Sequence, residues 1–165
     1  FIDAQVPGLW VYYCCAQSSL VPNRFFAMES ARNRIMGVLM YLYGIKGFLH
    51  WGYNFYNSKF SLHPVDPYRV THADYAFPSG DPFLVYPGPD GAPLSSVRAE
   101  VQDDALLDLR ALQLLEQLAG RAFVEELIYA DAEMRPMTFR DYPRGAGYLL
   151  ALRERVAAEI ESRLA

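Results

Sequence analysis

The sequence holds only two cysteines in 165 residues, and they are neighbours, Cys14 and Cys15. An adjacent pair cannot staple distant parts of a chain, so no disulfide framework supports the fold. A bridge between neighbours also falls outside the usual disulfide spacing. Two free, partly buried thiols at a strand end are the expectation, set against a sharper alternative in which a vicinal disulfide lines a pocket floor. Clustered positive charge is lacking too. The 15 Lys and Arg residues are scattered, 19 Asp and Glu outnumber them, and the net charge is -4. A phosphate-neutralising nucleic-acid surface is thereby excluded as a partner. No stretch approaches the roughly eighteen apolar residues of a membrane span, and residues 1–15 lack the charged start of a signal peptide. Nucleophile elbow, phosphate-cradling loop and dinucleotide fingerprint are all missing, so no cofactor is expected. The first residue is Phe1 rather than Met, from which a processed or incomplete chain is expected.

Aromatic rings are what the chain has in excess. They make up 15% of it, with 12 Tyr and 10 Phe, and most precede residue 90. Residues 9–15 form an uncharged run of aromatic and branched side chains, read as a strand covered on both faces. Residues 29–43 place Ala31, Ile35, Val38, Leu39 and Leu42 on one helical face, with Arg32, Gly37 and Met40 opposite, Glu29 at the positive end and Gly44 as terminator. A second apolar run follows in Lys46-Gly47-Phe48-Leu49-His50-Trp51 and breaks at Gly52 into Tyr53-Asn54-Phe55-Tyr56. Strand, helix, strand in this order predicts a right-handed parallel crossover, whose ligands collect at the carboxyl ends of the strands. Those ends carry Tyr13, Cys14 and Cys15 on one side and Trp51, Tyr53 and Asn54 on the other. Flat ring faces with polar tips beside an amide suit a ligand that is part apolar and part hydroxylated, as a sugar is.

Residues 57–96 form a long, proline-rich connection, read as an ordered lid over the strand ends, with a hairpin at 83–96 turning at Asp90-Gly91. Its Asp81 is the loop carboxylate placed near a ligand, the alternative being an Asp that bonds its own turn. Helices are predicted over 97–119, ended by Gly120, then over 121–134 and 147–164, with a linker at 135–144. Glu100, Asp103, Asp104 and Asp108 lie close together, as glycoside chemistry's paired carboxylates would, yet on this helix a solvated face explains them better. Arg98 and Glu100 could lock that helix to the strands. His63, Asp66, His72 and Asp74 match no ligand spacing, and no metal is expected there. His50 should point opposite to Trp51, toward the helix layer, as a packed histidine rather than an acid or base.

Several motifs, taken in order, resemble a known family. These are Trp10-Val11-Tyr12-Tyr13-Cys14-Cys15, Pro22-Asn23-Arg24-Phe25, Ala31-Arg32-Asn33-Arg34, the stretch from Gly44 through Asn54, Pro78-Ser79-Gly80-Asp81, Leu84-Val85-Tyr86-Pro87-Gly88 and Arg98-Ala99-Glu100. They are similar to the carboxyl-terminal part of glycoside hydrolase family 123, including the region catalogued as domain of unknown function 4091, over about residues 9–120. The resemblance implies a (β/α)8 barrel that removes terminal β-linked N-acetylgalactosamine with retention. The substrate's acetamido oxygen would attack the anomeric carbon, one carboxylate would stabilise the oxazolinium, and a neighbouring glutamic acid would protonate the leaving oxygen.

By that analogy the fold class is α/β, the carboxyl-terminal portion of a (β/α)8 TIM barrel followed by tail helices. Residues 1–165 would be a single partial domain, with the last barrel units and their lid in 1–120 and terminal helices in 121–165. Trp51, Tyr53 and Asn54, with Tyr13, Cys14, Cys15 and Asp81, would contact a carbohydrate substrate. The family's catalytic pair is an adjacent Asp-Glu on an earlier strand, and no Asp-Glu dipeptide occurs in this sequence. A whole barrel takes about 250 residues. The chain is therefore expected to be a fragment without its acid, inactive alone, whose sheet edges call for a second copy or the missing amino-terminal half. A non-catalytic carbohydrate-binding or assembly module is the alternative.

Overall fold

The apolar run that begins at Leu9 makes a shorter strand than its composition predicts. In the computed structural model, which describes every residue except Phe1, Asp3, Gln5 and Tyr13, strand β1 covers Trp10–Tyr12 and pairs in parallel with β2, Gly47–Leu49. Trp10 stands opposite Gly47, Val11 opposite Phe48 and Tyr12 opposite Leu49. Parallel pairing requires a crossover, and two helices supply it: α1, Ser30–Arg34, and α2, Met36–Leu42. The chain is thus a mixed α/β structure with small sheets.

The two-sided burial expected of β1 does not occur. Trp10 is 62% exposed, Tyr12 48% and Leu49 54%, whereas Val11 and Phe48 pack on the helical core. Among the described residues this sheet has two strands, covered by helices on one face. A continuous apolar run does not by itself distinguish burial on one face from burial on both. Gly47 lets the exposed Trp10 indole lie across the sheet, since a Cβ there would push the ring aside.

The helix predicted over 29–43 is two segments meeting at Ile35. Hydrogen bonds from Ile35 N to Ala31 O (3.0 Å) and from Leu39 N to Ile35 O (3.1 Å) carry the ladder through the junction. Ala31, Ile35, Val38 and Leu39 are buried as expected, but so are Gly37 and Met40 on the supposed outer face. That face meets α3, Val97–Ala119, so closely that a Cβ on Gly37 would enter the Ala105 backbone. A helix enclosed on all sides has no polar face to display. Gly44, at φ 62°, ends it, and Ile45 N bonds back to Met40 O (2.9 Å).

α3 begins at Ser96, whose side chain accepts from Ala99 N (3.3 Å), and stops at Gly120, φ 85°. Its stripe of Ala105, Leu109, Leu112 and Leu115 is buried. Asp108, expected on a solvated face, is buried with it. Arg34 donates to its two oxygens at 2.6 and 3.0 Å, and Arg153 donates at 2.8 Å. This carboxylate joins α1, α3 and α5, the last spanning Ala146–Leu164. α4 covers Arg121–Tyr129, shorter than the predicted 121–134. Past Tyr129 the chain turns away to bury Met137 and Tyr142 in the same core.

The connection 57–96 is ordered by backbone pairing. Strands β3, Val85–Pro87, and β4, Pro93–Ser95, form the predicted hairpin, with Tyr86 opposite Leu94. Phe55 N donates to Pro82 O (3.0 Å) and Leu84 N to Tyr53 O (2.8 Å), which fastens the loop to the exit of β2. Among the described residues no helix is long and apolar enough to cross a membrane.

Candidate functional site

The exit of β1 is shaped by one buried amide. Asn23 donates from Nδ2 to both Cys14 O and Gln17 O, each at 2.8 Å, and Cys14 N donates to Gln17 Oε1 at 3.0 Å. This clasp curls the chain so that the Cys14 and Cys15 thiols lie side by side, free, with their sulfurs 3.6 Å apart. Tyr12 donates its hydroxyl to Cys14 Sγ at 3.0 Å. That bond, reinforced by burial, pushes the phenol up to about 12, and burial foremost pushes the Cys15 thiol up. Tyr13, expected at the same exit, lies outside the described residues.

Asp81 reaches the thiols from the other side. Its backbone closes a turn, Asp81 N donating to Pro78 O at 3.0 Å. The carboxylate itself is wholly buried, and neither oxygen has a hydrogen-bond partner among the described residues. A carboxylate oxygen and the two sulfurs all lie within 4.8 Å of one another. Burial pushes Asp81 up to about 6, although Arg24 and Arg98 pull the other way.

Those two cations are fixed by rings and carbonyls. The Arg24 guanidinium is buried over the Phe48 ring at 4.6 Å, and its NH1 is 2.6 Å from His50 Nδ1. Arg98 stacks over Phe26 at 4.6 Å and donates to Gly80 O and Arg24 O, so it ties α3 to two loops rather than to the strands, while Glu100, expected to share this role, is exposed. Burial, helped by both arginines, holds His50 down to about 3. A neutral imidazole facing α3 fits the packed role, and not that of an acid or base.

At the exit of β2 the expected residues diverge. Trp51 is half-buried among Phe55 and Phe77, at ring distances of 5.2 and 4.6 Å. Gly52, at φ 80°, brings its backbone against Asp81, since a Cβ there would lie 2.6 Å from Asp81 O. The two strand exits therefore meet at the Asp81 turn. Tyr53 lies on the α3 side, lining a cleft of about 230 Å³ with His50, Leu84, Ala99, Gln102, Asp103 and Leu106. Asn54 is exposed and bridges to Phe83. Cys14, Cys15 and Asp81 are brought together, whereas Trp51, Tyr53 and Asn54 look in separate directions from the adjoining loop. The loop residues weighed for a metal engage locally. His63 pairs with Asp74 at 3.1 Å, Asp66 accepts from Tyr68 N at 2.9 Å, and His72 accepts from Tyr75 N at 2.8 Å.

The glycoside hydrolase 123 catalytic domain matches residues 2–115. The chain belongs to glycoside hydrolase family 123. No curated protein matches it. The region matched to family 123 holds the parallel pair, its crossover, the long connection and most of α3, so every residue of the site falls within it. α4 and α5 lie beyond that region. Sequence reasoning placed the break at Gly52 but gave no role in the site to Tyr12, Asn23 or Arg24. Asn23 and Arg24 had a signal, since two polar residues between Pro22 and Phe25 in an apolar setting are candidates for buried service.

Proposed function

We propose that this family 123 chain is the sugar-binding and barrel-closing part of a retaining hydrolase for terminal β-linked N-acetylhexosamine, N-acetylgalactosamine in particular. It is the carboxyl-terminal portion of a (β/α)8 barrel with tail helices, and catalysis is substrate-assisted. One observation carries the reading: β1 and β2 run parallel, and their exits adjoin at the Asp81 turn, the end of a parallel pair where ligands bind. In this reading a sugar contacts Cys14 and Cys15 at one exit and Trp51, Tyr53 and Asn54, which leave the other exit in different directions, with Asp81 behind the thiols and Tyr13 assigned to the same end by its place in the sequence.

The Asp-Glu pair that protonates the leaving oxygen and steadies the oxazolinium is absent from this sequence. The chain by itself therefore binds without cleaving. Calorimetric titration with N-acetylgalactosamine tests the pocket: Trp51→Ala weakens binding by about 1 to 3 kcal/mol, the scale of a lost aromatic anchor. Unchanged binding in a folded variant removes Trp51 from the site. Release of an aryl leaving group from an aryl N-acetylgalactosaminide by this chain would overturn its inactivity. The missing pair equally favours a second reading, a carbohydrate-binding module without chemistry. Joining the chain to an amino-terminal half that bears Asp-Glu separates the two, because only the first reading then yields hydrolysis.

A further inference from the structure

The floor between the two strand exits has the donor set and spacing of a soft-metal site. Two thiolates on one tetrahedral zinc ion, each about 2.3 Å from the metal, stand about 3.8 Å apart. The sulfurs of Cys14 and Cys15 are 3.6 Å apart. The carboxylate oxygen of Asp81 lies within 4.8 Å of both, and an approach of about 1 Å would close the triangle at ordinary zinc–oxygen lengths. The sulfur pair thus needs no rearrangement to chelate.

A second observation points to a ligand. Asp81 is wholly buried, yet neither carboxylate oxygen is hydrogen-bonded among the described residues, a state that costs free energy unless something else engages the group. Its position is imposed by the backbone on both sides, through the turn closed on Pro78 O and through the contact with Gly52. The surrounding charge fits as well. Two thiolates and a carboxylate sum to three negative charges, a divalent cation leaves one, and Arg24 and Arg98 both act on Asp81.

We propose that Cys14, Cys15 and Asp81 form a binding site for a thiophilic divalent cation of the zinc or cadmium class. Two sulfurs and one oxygen select such ions over magnesium or calcium. Three protein ligands leave a fourth position exchangeable, unlike a closed structural site. Tyr12, donating to Cys14 Sγ, is the outer partner that orients this ligand. The site goes beyond the sugar reading and stands without it.

The test uses the reduced, chelator-treated chain titrated with cadmium or cobalt(II) alone, without any sugar, while thiolate-to-metal charge-transfer absorption is followed. A band that saturates at one equivalent per chain, is competed by zinc and is unaffected by excess magnesium is the expected result. Cys14→Ser and Cys15→Ser should each lose most of it. Asp81→Asn should keep the band but bind about tenfold or more weakly, at least the loss typical of an outer-shell partner. Absence of the band at one equivalent in the folded wild-type chain overturns the site, and so does an affinity unchanged in Asp81→Asn. The wild-type titration decides even where a variant fails to fold.

Discussion

Asp81 and Asp108 are the two buried carboxylates among the described residues, and their surroundings are opposite. Asp108, in the helical half, accepts from Arg34 and Arg153 and ties three helices together. Asp81, where the loop meets the strand exits, has neither oxygen hydrogen-bonded among the described residues. A buried charge that is paired and fully engaged belongs to the scaffold, and one held without a partner marks a place where stability has been given up for something else. The helical half and the strand-exit half thus differ in purpose as well as in architecture. The region matched to family 123 contains Asp81, and it contains Asp108 too, so the contrast lies within the family's own part of the chain.

The strongest way to break this comparison is to remove the paired carboxylate. Asp108→Ala strips Arg34, itself 12% exposed at the side chain, of both its short hydrogen bonds and leaves it only the looser contact with half-exposed Asp104 at 3.8 Å. Loss of one partner of such a pair costs about 3 to 5 kcal/mol. Arg153 is 44% exposed and adds little, because solvent screens it. Urea unfolding of wild type and variant measures the difference, and a loss below about 1 kcal/mol would make Asp108 a surface charge after all, as its neighbours on α3 suggest in sequence.

How much of this could be read from residues alone varies with the length scale of the interaction. The parallel crossover, the hairpin turning at Asp90-Gly91 and the limits of α3 follow from local periodicity and glycine placement, and the structure has all three. Burial is set by what lies across the core, so it was less legible. Gly37 and Met40 look like an outer face until α3 is placed upon them. Asp108 shares its run with Asp103 and Asp104, and nothing local says that Arg34, 74 positions away, will claim it. The meeting of Asp81 with Cys14 and Cys15 is of the same kind. His and Asp crowd in sequence around residues 63–74, whereas the donors that converge come from two distant loops. Trp51, Tyr53 and Asn54 sit at the predicted strand exit, but the left-handed turn at Gly52 splits their directions.

A second, smaller effect separates the halves by pH. His50, facing Arg24 and Arg98, is held down to about 3 when folded, against about 6.5 in the unfolded chain. The unfolded state therefore takes up a proton below pH 6.5 that the folded state refuses, and stability falls as pH drops from about 6.5 toward 3. At pH 5 this amounts to about 2 kcal/mol. Unfolding free energies at pH 7.5 and pH 5 should differ by that much more in wild type than in His50→Gln, in which other carboxylate titrations are retained. Equal pH dependence in the two proteins would show that the imidazole is solvated, and would weaken the case for a buried arginine beside it.

The smallest expected change has the opposite sign from the first and therefore sharpens the contrast most. Asp81→Asn, in chelator-treated protein, replaces a buried charge whose desolvation outweighs the pull of Arg24 and Arg98 by a neutral amide of the same shape, and should raise stability by about 1 to 2 kcal/mol. Asp108→Ala and Asp81→Asn would then move the same unfolding midpoint in opposite directions. Cadmium should narrow the gap between Asp81→Asn and wild type by about 1.4 kcal/mol, the free-energy equivalent of tenfold weaker binding by the variant. A cation that binds only the folded chain adds about 2.7 kcal/mol at a hundred times its dissociation constant, and wild type, with all three donors, approaches that gain at a metal concentration where the variant receives a fraction of it. If Asp81→Asn destabilises the metal-free chain, its carboxylate supports the fold as Asp108 does, and the strand exits lose the feature that distinguishes them from the helical core.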